Sequence, residues 1–217
     1  GFVYDSDNNY LTNLVTAYGT TQFKFTKDAV NYFRVGNYIN RAIEITEPTL
    51  GKHLYLYREE SSELSPTDST PLFPSEFPGS QVPVTSTNGF SFSNTFDNSS
   101  LDRRNTFYWG PLQFSRLSTA DMDNFTTNDY NRAHWKHWLR QSSAVPSVVT
   151  GSISLERWPS PDGVTEGQKI WYDYEGKPAN TNDIIGTQVL PRFVALVLPD
   201  GQTTRFTRSE RNAHAFS

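Results

Sequence analysis

The chain has 217 residues, with 19 Lys and Arg against 23 Asp and Glu, no Cys, and a formal net charge of −4. No basic block of five or more residues occurs, which argues against a phosphate-tracking nucleic-acid surface. The lack of Cys removes disulfides, thiolate catalysis and thiolate metal sites, and no run of about 18 apolar residues is available to cross a bilayer. Only 35% of residues are hydrophobic, yet 14% are aromatic, with 15 Phe, 11 Tyr and 5 Trp. Large rings bury much area each and sit well on pleated surfaces, so the composition leans towards β structure.

The chain opens on Gly1-Phe2-Val3 and its one Met is Met122. The expectation is therefore a piece of something longer, read as a single β region over 1–217. Phe23 and Phe25 alternate with polar neighbours, the period of a half-buried strand, after a turn at Ala17-Tyr18-Gly19-Thr20. Ile43 and Ile45 alternate with Glu44 and Thr46. A loop at residues 47–51 then leads into a second strand at residues 53–57, which predicts a hairpin with a connection of about five residues. Both faces of 53–57 are apolar or aromatic, which predicts cover on each side.

Residues 60–100 carry Pro66, Pro71, Pro74, Pro78 and Pro83 among many Ser and Thr, and read as an insertion loop. Strand character returns at residues 105–109. Residues 124–141 are the helix candidate, capped at Asn128 or Asp129, with Tyr130, Ala133, Trp135, Trp138 and Leu139 at helical spacing. Further strands are expected around Ile153 and Leu155, at residues 170–174, at 193–198 and at 203–207. Asp200-Gly201 marks the last hairpin. The reading is all-β, mainly antiparallel strands and hairpins, with one short helix near 128–140. The strand-turn-strand unit recurs loosely at 11–26, 41–57, 153–174 and 193–207, which points to an array of units.

Six phrases in order resemble the RHS/YD-repeat family. Tyr4-Asp5 followed by a turn and then Leu11-Thr12 resembles the repeat consensus, with Asn8-Asn9 where Gly is usual. Tyr18-Gly19-Thr20-Thr21 inside 14–25 is similar to a recurring family phrase. So are residues 41–57, 104–109, 129–139 and 170–176. Together they span about residues 2–207. The resemblance implies a spiral of antiparallel strands forming a wall of a hollow shell that encloses a C-terminal toxin or cargo. The implied setting is a bacterial secreted or cell-surface polypeptide of the polymorphic-toxin type. Its implied partners are the remaining repeats of the same chain or neighbouring shell strands. The family's self-cleaving signature has no match, so no proteolysis is carried over.

No catalytic, cofactor or metal residues are assigned, and the chain is read as a non-enzyme. His134 and His137 stand three apart but lack the His-Glu-x-x-His arrangement. Asp173 and Glu175 share a strand face, yet lie at a strand end running into a turn, where carboxylates are ordinary. No nucleophile elbow or glycine-rich phosphate loop is present. The ligand candidates are the rings Trp109, Trp171 and Tyr172, which would stack on sugars in a carbohydrate- or cell-surface-binding module. A capsid-like β-sandwich is the other alternative.

Overall fold

The computed structural model describes residues 1–7, 10–27, 41–60, 100–143, 148–177, 183–199 and 203–208. Among these residues eleven strands form one sheet whose spatial order is their chain order, β1 to β11, with every neighbouring pair antiparallel. They are β1 (Phe2–Tyr4), β2 (Leu11–Thr16), β3 (Gly19–Lys27), β4 (Arg41–Thr46), β5 (Lys52–Glu60), β6 (Arg103–Trp109), β7 (His134–Arg140), β8 (Val149–Arg157), β9 (Lys169–Asp173), β10 (Phe193–Val197) and β11 (Thr203–Arg208). The four expected units correspond to the hairpins β2–β3, β4–β5, β8–β9 and β10–β11.

Local chemistry explains several of the turns. Thr16 faces Gly19 across a two-residue connection. Gly19 adopts a φ of +123°, and a Cβ there would sit 2.7 Å from that of Pro48, so only glycine fits. The β4–β5 connection is the expected five residues, since Thr46 pairs with Lys52. The Tyr4-Asp5 turn is closed by the Asp5 amide donating to the Tyr10 carbonyl, while the Asp5 carboxylate accepts from the Tyr10 amide. Asp and Asn favour such self-bonded turns.

Strand alternation sorts side chains onto two faces. Leu54, Leu56, Phe107, Trp109, Trp135, Leu155, Trp171 and Ala195 line one face and are all buried. The segment between β6 and β7 covers it with α1 (Pro111–Phe114), a 3₁₀ turn (Met122–Asn124) and α2 (Thr127–Asn131). Phe107, Trp109, Phe125 and Tyr130 interlock there, with Phe107 and Tyr130 ring centres 4.8 Å apart and the Trp109 and Phe125 rings edge-on at 5.3 Å. Such pairs add to the area term of burial. The Trp109 indole also donates to the Asp129 carbonyl at 2.9 Å, tying the covering segment to the sheet.

The helix expected near 128–140 is present but short. Its cap is Thr126, not the expected Asn128 or Asp129; Asp129 stands three residues on and closes a capping box with Thr126. From His134 onward the chain is strand β7, because the same residues also carry a period of two. Trp135, His137 and Leu139 are buried and alternate with half-buried Lys136, Trp138 and Arg140. Two available partner strands decided between the periods. The 53–57 strand also differs from expectation: Leu54 and Leu56 are covered, whereas Tyr55 is 46% exposed. The Pro-rich 60–100 insertion lies, beyond its end residues, outside the described residues.

Candidate functional site

The face of the sheet opposite that core holds the candidate site. Register places Phe25, Ile43, Tyr55, Tyr108 and His134 in one cross-strand row over β3 to β7. A second row runs Arg41, Tyr57, Thr106, Lys136, Glu156 and Ile170 over β4 to β9. Between them lies a groove of about 430 Å³ with Tyr55, Tyr57, Tyr108 and Trp138 among its lining residues. That volume lies within the range of small-molecule sites. The Tyr55 and Tyr108 rings stack with centres 4.6 Å apart.

Hydrogen bonds hold these rings in place. The Tyr108 hydroxyl and His53 Nδ1 are 2.9 Å apart, and His53 Nε2 lies 3.0 Å from Glu47 Oε1. The His53 contact, followed by that from Thr49, holds the Glu47 carboxyl below its ordinary range. The Tyr57 hydroxyl donates to Glu59 at 2.5 Å; burial and that carboxylate push the phenol far up. The Trp138 indole donates to the Thr106 hydroxyl at 2.9 Å.

At the β7–β9 side, Glu156 is the hub. One oxygen meets His134 Nε2 at 2.6 Å and the other accepts from the Tyr172 hydroxyl at 2.9 Å. Lys136 Nζ stands 3.6 Å away. The His134 bond is the largest of the effects that hold the Glu156 carboxyl below its usual range against the opposing effect of burial. Burial and the Glu156 charge push the Tyr172 phenol far up. His134 is stacked against Trp158, with centres 4.7 Å apart and planes 12° from parallel.

Of the sequence-derived ligand rings, two are misplaced for stacking. Trp109 is fully buried and Trp171 is 1% exposed, so neither offers a ring face to a sugar; both are core. Tyr172 does lie on the open face, but its hydroxyl is committed to Glu156. Of the open rings, Tyr108 belongs to the aromatic run 107–109 that the sequence offers for stacking, whereas Tyr55 and Tyr57 were missed. The signal that finds them is parity: they alternate with the inward Leu54, Leu56, Phe107 and Trp109.

His134 and His137 point to opposite faces. His137 is buried, with Nδ1 2.8 Å from the Arg103 carbonyl, so the two cannot share an ion. Asp173 and Glu175 are also separated, Asp173 being buried and paired with Arg192 at 2.9 Å and Glu175 lying exposed beyond the strand end. Among the described residues no group of three or more His, Asp or Glu side chains could hold a metal. No helix there is long and apolar enough to cross a membrane. Comparison with protein-family models, with curated proteins and with solved structures returns no match.

Proposed function

We propose that the chain is a wall segment of an RHS/YD-repeat-type shell, which encloses or presents a C-terminal toxin or cargo outside a bacterial cell. The observation carrying this reading is the strict chain order of the eleven-stranded antiparallel sheet. A wall built by adding hairpins in sequence needs no crossover and no second sheet. Its neighbours on either side are further strands of the same polypeptide or of the shell. The YD-like turn supports the reading too, because it sits between β1 and β2 at the place the repeat resemblance implies.

In this reading β1 meets a neighbouring strand in the complete wall. Phe2, Val3 and Tyr4 are 67%, 45% and 52% exposed, with β2 as the one strand neighbour of β1 in the sheet order. An edge with no second strand partner among the described residues templates pairing with another chain. The purified 217-residue chain is therefore expected to grow in mass with concentration in light scattering. Val3→Lys, which places a charge on the edge, is expected to suppress that growth. A monomer of constant mass across a wide concentration range would count against the wall reading. Mass spectrometry of the native polypeptide from its source supplies the second check, with a chain far longer than 217 residues expected.

A further inference from the structure

We propose that the groove on the open face between β4 and β7 binds an acidic sugar, its pyranose ring against Tyr55 and Tyr108 and its carboxylate towards Arg41 and Lys136. This goes beyond the wall reading and does not rest on it.

Three features of the groove select this chemistry. The first is the ring platform. Tyr55 and Tyr108 stack as one unit, and Tyr108 is locked through His53 to Glu47, so the platform is pre-organised. Tyr55, at 46% exposure, keeps part of its ring surface open to solvent.

The second is charge. The chain carries a net charge of −4, yet the titratable groups lining the groove besides its tyrosines are Arg41, His134 and Lys136, with no carboxylate among them. Arg41 is exposed and forms no ion pair among the described residues. The nearby Glu156 has both oxygens engaged, by His134 and Tyr172. An anion entering the groove therefore meets the exposed Arg41 at its β4 side and Lys136, which stands 3.6 Å from Glu156, at its β7 side, with no unpaired carboxylate among the groove's lining residues. His134 Nδ1 has no partner among the described residues and is available to a hydroxyl.

The third is shape. The groove lies on a sheet face and stays open along one side. A flat apolar ring bound there would keep one face in water. A sugar tolerates that, since its outward hydroxyls remain hydrated while its C–H face covers the tyrosines.

The test is titration of the 217-residue chain with a uronate oligosaccharide, its neutral methyl ester and benzoate, followed by Trp fluorescence and calorimetry. The acid is expected to bind about tenfold more tightly than its ester, a difference equivalent to one modest charge-assisted contact. Arg41→Gln is expected to bring the acid down to the level of the ester, and Tyr55→Ala to weaken both about tenfold. Both side chains are exposed, and unchanged far-ultraviolet circular dichroism separates loss of binding from loss of fold. No binding of the uronate at millimolar concentration overturns the proposal. So does equal affinity for acid and ester, or affinity that neither substitution changes. Benzoate binding as tightly as the uronate overturns the sugar assignment.

Discussion

Strands β5 to β9 and strands β1 to β3 are built from similar alternating residues, yet they meet water very differently. In β7 the burial pattern alternates strictly between buried and half-buried. In β1 every residue is exposed, and in β2 none is buried. The strand pairing is equally regular in β2–β3 and β6–β7. What differs is the cover. The segment between β6 and β7 folds back over the middle of the sheet, and the β1–β2 end receives none of it. Alternation thus decides which side a residue faces, and a second layer decides whether that side becomes core.

The largest effect expected from this contrast is at Trp109. Trp109→Ala removes a fully buried ring and leaves the Asp129 carbonyl without its indole donor. Large-to-small changes of this kind cost about 3–5 kcal/mol. Urea unfolding is expected to show a loss of that size. A loss below about 1 kcal/mol would mean that the covering segment contributes little, and the contrast between middle and end would collapse.

Next comes Asp129, which holds the covering segment in shape. Its carboxylate accepts from the Ser118 amide at 2.8 Å and hydroxyl at 2.5 Å, and from the Thr126 amide at 2.9 Å and hydroxyl at 2.7 Å. Burial alone would raise this carboxyl, but the bonds from Ser118 and Thr126 outweigh it and hold the value below the usual range. Asp129→Ala is expected to cost about 2–3 kcal/mol, the sum of a lost cap and lost charge-assisted bonds. A depressed carboxyl stabilises fully above its unfolded value of about 3.9, and that contribution fades as pH falls through the lower folded value. Stability of the variant should therefore fall less steeply below pH 4 than that of the parent, as read by urea melts across acid pH.

Much of the turn chemistry was legible in the sequence, and the reasons are local. Gly19 and the five-residue 47–51 loop each carry their own turn chemistry and each lies where that chemistry placed it, whereas the helix cap falls on Thr126 and not on Asn128 or Asp129. The 134–140 stretch was not legible, because Trp135, Trp138 and Leu139 satisfy a helical period while Trp135, His137 and Leu139 satisfy a strand period. Pairing with β6 and β8 settled the matter, and that information is not local. The site failed to show for a related reason. Trp109 and Trp171 are the largest rings and so the natural candidates for stacking, but size also makes them the best core residues. Only the parity of each strand, fixed by which face the covering segment occupies, assigns Tyr55 and Tyr108 to the open side.

A third expectation concerns Lys177, also buried, just beyond β9. Burial lowers its amine to about 7, against the opposing pull of Asp173. A lysine depressed in the folded state binds its proton less well there than in the unfolded chain. Between pH 7 and its unfolded value of about 10.4 the unfolded state holds more protons, so stability rises with pH at up to about 1.4 kcal/mol per pH unit for this one group. Lys177→Met is expected to flatten that slope, measured by urea melts from pH 7 to 10. An unchanged slope would place the buried charge elsewhere.

The smallest effect is expected at the bare end, and it sharpens the contrast most directly. Val15 in β2 is 45% exposed, and its hydroxyl-bearing analogue keeps the β-branch that suits a strand. Val15→Thr should change stability by less than about 0.5 kcal/mol, as surface substitutions do. Amide exchange supplies the matching readout without mutation. With no buried residue in β1 or β2, their hydrogen bonds are expected to open by local unfolding and exchange far faster than those of β6–β7, whose opening requires lifting the Trp109–Phe125–Tyr130 layer. If β1 meets a neighbouring strand in a complete wall, exchange at β1 and β2 should slow when the chain self-associates, while exchange at β6 and β7 stays unchanged. Equal protection of both regions in the dilute chain would show that cover does not set the stability of this sheet, and the two regions would have to be treated as one cooperative unit.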